Sequence, residues 1–489
     1  MFLGIDLGTS SVKAVLVDFD QHVVDHESAP LEVSRPRPLW SEQDPDDWWR
    51  AADHAMRGLA SRRAREFSGV RGIGLSGQMH GATLLDAADR VLRPAILWND
   101  GRSSAECREL ESREPRCRDI TGNAAMPGFT APKLLWVARH EPDVFARTAR
   151  VLLPKDWLRL RMTGEAITDA SDASGTLWLD VARRAWSPEM LAATGLPESA
   201  MPRLVEGSEP GGTLRDEVAR DWGLPRGVVV AGSAGDNAAG AIGVGAVEDG
   251  DAMLSLGTSG VLFVAGSGFR PNPAGGVHAF CHALPGTWHQ MAVLLSAASC
   301  LSWLEQATGC ASIADLLGDE DDPAVPADPG IVFLPYLSGE RTPHDDPLAK
   351  GVFFGLSHET TRADLGRAVL EGVALAFADG ADALRDAGTT IGRVSLVGGG
   401  ARSRLWSRIL ASALGVELCH SSGAEVGPAF GAARLARLAA GRESAARVCL
   451  PLPVDRTFRP EQELVERYAR RRPVFRGLYR DLRERFREL

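Results

Sequence analysis

Lysine is nearly missing from this chain: of 54 basic residues only Lys13, Lys133, Lys155 and Lys350 are lysine. Arginine serves almost everywhere that a positive charge is needed, so the surviving lysines mark candidate sites for a compact ammonium. None of them follows a glycine, which removes the Gly-Lys-Ser/Thr phosphate loop. H-E-x-x-H and G-x-S-x-G are missing too, and with them the main support for a metalloprotease or serine hydrolase. The seven cysteines, at 107, 117, 281, 300, 310, 419 and 449, never stand as C-x-x-C. That spacing argues against a disulfide framework or a zinc site and leaves them as reduced, mostly buried, small hydrophobes. No apolar run approaches the ~18 residues that span a bilayer, and Asp6 interrupts the first one too early for a secretory leader. The expected setting is the cytoplasm, with no membrane partner. A net charge of −10 disfavours nonspecific nucleic-acid binding, so any anionic ligand has to be held by local groups.

What is present points to two units. At 489 residues the chain exceeds the size at which one hydrophobic core stops growing. The stretch FLGIDLGTSSVKAVLVD and its continuation QHVVDHESAPLEV alternate with period 2 between turns, which predicts an antiparallel meander. DPDDWWRAADHAMRGLA then reads as a helix capped by Asp44 and opened by Pro45. Half a chain later the first turn recurs. Leu7-Gly8-Thr9-Ser10 returns as Leu256-Gly257-Thr258-Ser259 and Val12 as Val261, which points to duplication of one domain. In that alignment Asp6 meets Ser255 and Lys13 meets Leu262, so charge resides only in the first copy. The glycine-rich residues 228–250 place the junction near 245, giving units 1–245 and 246–489. The acidic, Pro-rich stretch 318–330 reads as a surface loop. The Arg/Glu-rich C-terminal end reads as a surface helix, which a homodimer could also use.

Several constellations carry chemistry. Backbone N–H groups around Gly8 to Ser11, the hydroxyls of Thr9 and Ser10 and the Lys13 ammonium can surround phosphate oxygens. Asp6, at the strand end, can hold a hydrated Mg²⁺ against them. The uncharged turn at Gly257 and Thr258 suits phosphate from the facing unit. An apolar strand ending in Gly398-Gly399-Gly400 lets a base and ribose lie flat on backbone. Asp236, after an apolar strand at the junction, can take the proton from a hydroxyl attacking phosphorus, a service worth ~10²- to 10⁴-fold. Gln78 and His80, with Trp98, Asn99, Asp100 and Arg102, offer the hydrogen bonds and aromatic face that a polyol needs. Each feature has a plainer reading as a solvated ion pair, a glycine turn, a capping aspartate or a structural histidine.

GFTAPKLLWVARHE (residues 128–141) and GVFFGLSHETTRADLGRAVLEG (residues 351–372) resemble the two signatures of the FGGY carbohydrate kinases, of the actin/hexokinase/Hsp70 superfamily. The likeness runs through nearly the whole chain, with GQMHGATLLD, RPAILWNDGR, GDNAAGA, LSLGTSGV, FLPYLSGERTPH and VGGGARS among its segments. It implies an α/β fold of two actin-like (ribonuclease H-like) ATPase domains around a central cleft, each a mixed five-stranded sheet with helices on both faces. The sugar would lie in the first domain and ATP with Mg²⁺ across the cleft, bound by the second. The resemblance makes Asp236 the general base and Asp6 the metal-associated carboxylate beside the phosphates. Met79 and His80 become sugar contacts with Asn237 a neighbour, Gly257 and Thr258 meet the phosphates, and Gly399 and Gly400 the adenosine. The implied reaction moves the γ-phosphoryl of ATP to the 5-hydroxyl of D-xylulose. Ribulose or another polyol is the alternative acceptor, and a non-enzymatic sugar- or ATP-sensing protein the more distant rival.

Overall fold

The computed structural model of the chain describes residues 1–317, 328, 330–423 and 427–489. Apart from Asp328 and Gly330, the stretch expected as an acidic surface loop lies outside the described residues. The predicted meander is present as β1 (Phe2–Leu7), β2 (Ser11–Val17) and β3 (Val23–Pro30), all antiparallel. β4 (Gly72–Gly77) runs parallel to β1, and β5 (Pro210–Thr213), β6 (Val229–Ala231) and β7 (Ala234–Gly235) complete a sheet of order β5-β6-β4-β1-β2-β3, with β7 also paired to β4. The second sheet contains β8 (Ala252–Leu256), β9 (Gly260–Gly266), β10 (His278–Cys281), β11 (Trp288–Leu294), β12 (Val394–Val397), β13 (Leu418–Ser421) and β14 (Val454–Phe458). Its order is β10-β11-β9-β8-β12-β13-β14.

The two sheets repeat one pattern. β3-β2-β1-β4-β6 and β11-β9-β8-β12-β13 are each three antiparallel strands followed by two parallel ones. The expected five-stranded sheet is therefore the shared core, and each sheet has 7 strands because two more extend it. One detail of the repeat needs correcting. Leu7 faces Val12 and Asp6 faces Lys13, whereas Leu256 faces Gly260 and Ser255 faces Val261. The second turn is one residue shorter, so the counterpart of Lys13 is Val261 and not Leu262.

Helix α1 (Pro45–Arg62) starts as predicted, with the Asp44 side chain accepting from the Asp46 N–H and Pro45 in the first turn. It buries Trp48, Ala52, Met56 and Leu59 against Leu3, Ile5 and Leu7 of β1. Helix α2 (Asp236–Val244) follows β7 directly. In the second half, α3 (Ala298–Thr308) and α4 (Arg362–Asp386) cover Leu254, Leu256, Leu262 and Val264. Helix α5 (Pro428–Ala440) follows β13 as α2 follows β6 and β7, yet it packs on the first sheet, against Phe2, Val15 and Val17. Glycine permits that seat. A Cβ on Gly4 or Gly74 would collide with the carbonyl oxygens of Ala429 and Ala432, and one on Gly431 with that of Ala239 in α2. α2 and α5 thus cross back to back between the sheets.

The C-terminal helix α6 (Gln462–Leu482) is docked along α4. Leu464, Tyr468, Phe475 and Tyr479 are buried, Arg471 pairs with Glu371, and Arg472 donates to Asp379 at 2.9 Å. All seven cysteines are free thiols, and Cys310 alone is not buried. Among the described residues no helix is long and apolar enough to cross a membrane.

Candidate active site

The first turn is braced by side chains. The Thr9 hydroxyl donates to Gln78 Oε1 (3.0 Å) and accepts from Trp98 Nε1 (2.9 Å). The carbonyls of Thr9 and Ser10 accept from Gln43 Nε2 (2.8 Å) and the Leu31 N–H (2.8 Å). Because a trans peptide holds its C=O and N–H antiparallel, the N–H groups of Ser10 and Ser11 point away from that scaffold. Lys13 stands opposite Asp6 across the hairpin and forms no ion pair within 4.0 Å among the described residues.

Asp6 lies on the β1 end where β1, β4 and β7 run side by side: Asp6 is level with Ser76, and Ser76 with Ala234. Asp236 is the first residue of α2, two positions beyond Ala234. Two strand spacings, about 10 Å, separate the backbones of Asp6 and Ala234, and Asp236 follows at the same end. Ser76 Oγ donates to Asp6 Oδ1 (2.9 Å). Burial raises the Asp6 carboxyl above its usual range, against the Ser76 hydrogen bond and the Lys13 charge. Asp236 is pushed up to about 6, by burial first and then by the charge of Asp6. Asn237 spends its N–H (2.7 Å) and its amide (3.0 Å) on Asp236 Oδ1, leaving Oδ2 without a protein partner among the described residues.

Met79 and His80 close the same end. A Cβ on Gly235 would meet the Met79 sulfur at 2.8 Å, and one on Gly175 would strike the His80 ring. His80 adopts a left-handed backbone (φ 69°), a conformation uncommon among non-glycine residues though histidine enters it more readily than most. It is locked there. Its carbonyl accepts from Lys133 Nζ (2.8 Å) and Thr130 Oγ1 (3.1 Å), and Lys133 also bonds to the Gly128 carbonyl (2.7 Å). Burial pulls the His80 ring down to about 3, so it is neutral. With Nδ1 2.7 Å from the Gly175 carbonyl, Nδ1 carries the proton and Nε2 is an acceptor. Burial also lowers Lys133, to about 7. Lys155 is likewise buried, between Asp156 (2.6 Å), Asp169 (2.8 Å) and Asp172 (3.1 Å), beneath Gly77. A compact ammonium suits a three-carboxylate cage that a planar fork could not fill.

The second turn is held mainly by backbone donors at the start of α3. Ala298 N–H binds the Gly257 carbonyl (2.9 Å), and Ala297 N–H (2.9 Å) and Ser299 Oγ (2.8 Å) bind that of Thr258, docking the turn on the start of α3. The amides of Thr258 and Ser259 therefore point away from α3. Gly398 (φ 93°) and Gly400 abut Leu256 at the end of β8, where a Cβ would meet its backbone oxygen at 2.7 Å and its Cγ at 2.6 Å. Gly399 has no atom within 4 Å of its absent Cβ, so one face of the triglycine is open. The two motifs expected to meet the nucleotide thus share one sheet end.

Three expectations change. Gln78 is buried, and its amide is taken by Thr9 and by Gln43 Oε1 (2.9 Å), which makes it a brace for the turn and removes the basis for a direct sugar contact. The Thr9 hydroxyl has given its one proton to Gln78, so it does not donate to phosphate. Asp100 and Arg102 form a buried network: Arg102 bonds to Asp100 (2.6 Å) and Glu42 (2.7 Å) and lies 3.6 Å from the Trp40 ring centroid. They support the turn that carries exposed Trp98. The sequence reading assigned no role to Gln43, Phe129, Gly175, His278 or Arg341. Phe129 and Arg341 lie in segments that carried the resemblance, but nothing local in those letters says which cavity a side chain joins.

The FGGY family of carbohydrate kinases, N-terminal domain, matches residues 1–243, and the corresponding C-terminal domain matches residues 252–440. The chain is 54% identical over 483 residues to the xylulose kinase of Escherichia coli (strain K12), with 99% of each chain covered. The solved structure of a xyloylose kinase from Brucella ovis superimposes with a TM-score of 0.96 at 53% identity, and that of xylulose kinase from Rhodospirillum rubrum with 0.90 at 32%, each covering 99% of both chains. The doubled sheet pattern is the actin-like ATPase fold of these neighbours. With both family domains matched in order along one chain, this protein belongs to the FGGY family of carbohydrate kinases.

Proposed function

We propose that the chain transfers the γ-phosphoryl group of ATP to the 5-hydroxyl of D-xylulose, yielding D-xylulose 5-phosphate and ADP. The acceptor follows the named activity of full-length relatives at 54% identity. The observation that carries the mechanism is the Asp6/Asp236 pair at one end of the first sheet, on either side of β4, with Asp236 raised to about 6 and only one of its oxygens engaged. A base titrating just below neutrality is ionised at pH 7 and still basic enough to accept a proton. Asp236 Oδ2 receives the proton of the 5-hydroxyl as the O–P bond forms and the bond from the γ-phosphorus to the bridging oxygen breaks. Met79 packs beneath the sugar, and His80 Nε2 accepts from one of its hydroxyls. Residues 1–245 hold the sugar. Residues 246–489 hold the nucleotide, with the amides of Thr258 and Ser259 on phosphate oxygens and the open Gly399 face against adenosine. Ser10, Ser11 and Lys13 close on the phosphates from the first unit.

Asp6 has an oxygen free beside Lys13, a donor suited to a hard cation, and would hold Mg²⁺ there. That ion supplies neutralisation of charge on the phosphate oxygens. Rate enhancement beyond the base comes from positioning and from closure that excludes water. The test is ADP release with and without D-xylulose. Sugar should stimulate turnover strongly, and Asp236→Asn should lose at least ~10²-fold of it while still binding ADP. Stimulation by ribulose but not D-xylulose would reassign the acceptor, and full activity in Asp236→Asn would remove the base.

A further inference from the structure

Arg341 belongs to the loop before α4, and its guanidinium is linked through His278 of β10 to Asn123 of the first unit. Its Nη1 donates to His278 Nε2 (3.3 Å), and His278 Nδ1 in turn bonds to Asn123 Oδ1 (3.1 Å), which also accepts the Ala279 N–H. The relay fixes the tautomer: His278 is neutral, with its proton on Nδ1, and offers Arg341 an acceptor but no charge. No carboxylate pairs with Arg341 within 4.0 Å among the described residues. Two acids lie nearby and neither makes contact with the guanidinium: Asp345 acts on it only from beyond 4.0 Å, and Glu340 is buried, binds the Leu295 (2.9 Å) and Arg341 (2.7 Å) N–H groups, and is lifted by burial to about 8. A guanidinium has five N–H donors, so most of these remain without a protein acceptor among the described residues. Enclosed cations are ordinarily paired, and an unpaired one calls for a ligand.

The position of that ligand follows from the rings. His278 stacks on Phe280 (5.6 Å) and edges onto Phe129 (5.5 Å); the same two rings flank His80, at 6.2 and 4.8 Å. The Arg341 charge is felt at both imidazoles, lowering each. Like Asp6, His80 and Asp236, Arg341 is ringed by protein but keeps some accessible surface, as a group at the floor of a cleft does.

We infer that Arg341 is a specificity-determining residue that binds the carbonyl end of the ketose, opposite the hydroxyl held by Asp236. This rests on the sugar-kinase reading above. The pairing is chemical: the carbonyl oxygen is the one group on a ketopentose that only accepts, and guanidinium only donates. The hydroxyls instead need acceptors, which His80 Nε2 and Asp236 supply.

The experiment measures D-xylulose kinetics, xylitol inhibition, ADP affinity and melting temperature for wild type, Arg341→Met and Arg341→Lys. Losing a charge-assisted hydrogen bond should cut kcat/KM for D-xylulose roughly 10- to 100-fold in Arg341→Met, mostly through KM, with partial recovery in Arg341→Lys. ADP affinity should hold. Xylitol carries a hydroxyl in place of the carbonyl, so its inhibition constant should change far less than the ketose KM. A kcat/KM within about threefold of wild type, an equal loss for xylitol, or a parallel loss of ADP affinity would each overturn the assignment. Absence of any D-xylulose-dependent turnover in wild type would instead sink the kinase reading, before a variant is needed.

Discussion

The two halves are built alike and charged differently. Each contributes a hairpin turn and a helix that follows its parallel strands, but Asp6, Lys13 and Asp236 in the first half correspond to Ser255, Val261 and the start of α5 at Pro428 in the second. The first turn is held by the side chains of Gln43, Gln78 and Trp98, and the second by the backbone start of α3. Their helices differ too. α5 rests on bare strand backbone at Gly4 and Gly74, while Gly240 of α2 meets the second sheet through the flexible end of Met253. On the proposed mechanism, proton and metal chemistry falls to one copy of a duplicated scaffold. The other is uncharged at the matching positions, which leaves both acids on the first sheet.

The sharpest test of that asymmetry substitutes equivalent positions. Asp6→Asn should lower kcat by about 10²- to 10³-fold, the usual cost of removing a group that stabilises developing charge. Ser255→Ala should stay within about twofold, as an ordinary polar substitution does. Comparable losses would mean that both turns do chemistry. Next in size is the seating of the helices. Gly74→Ala forces α5 off its strand and should cost at least about 1–3 kcal/mol in chemical denaturation. Gly240→Ala should be neutral or stabilising by up to about 1 kcal/mol, since its Cβ lands at an ordinary 3.4 Å from Met253 Cε. A smaller effect follows from Asp236. Its folded pKa of about 6 lies above that of the unfolded chain, so the folded state binds the extra proton and loses stability as pH rises from about 4 through about 6. Asp236→Asn should therefore melt higher than wild type at pH 8, by the equivalent of about 1–3 kcal/mol after allowance for solvent contact. The gain should fade through pH 6 and vanish below about 4. An unchanged gain across that range would show that the carboxylate is not the source.

Local features were legible because short-range chemistry writes them. Period-2 alternation marked the β1-β2-β3 meander, Asp44-Pro45 marked the start of α1, and the repeated Leu-Gly-Thr-Ser marked the doubled hairpin. The two acids of the proposed site were singled out the same way, and the structure places both at the ends of buried strands. Gly4, Gly72 and Gly74, alternating inside buried strands, were an unused signal that some backbone approaches closely there.

Tertiary structure alone decided what each polar group meets. Gln78 looked like a sugar ligand until Thr9, 69 residues away, claimed its oxygen, and Arg341 looked like loop until His278, 63 residues away, aimed it. Periodicity records which face of a strand or helix is buried, because that choice is made between neighbours along the chain. It holds no record of the partner, because hydrogen bonds and charges are satisfied by whatever the packing of distant segments brings within about 3 Å.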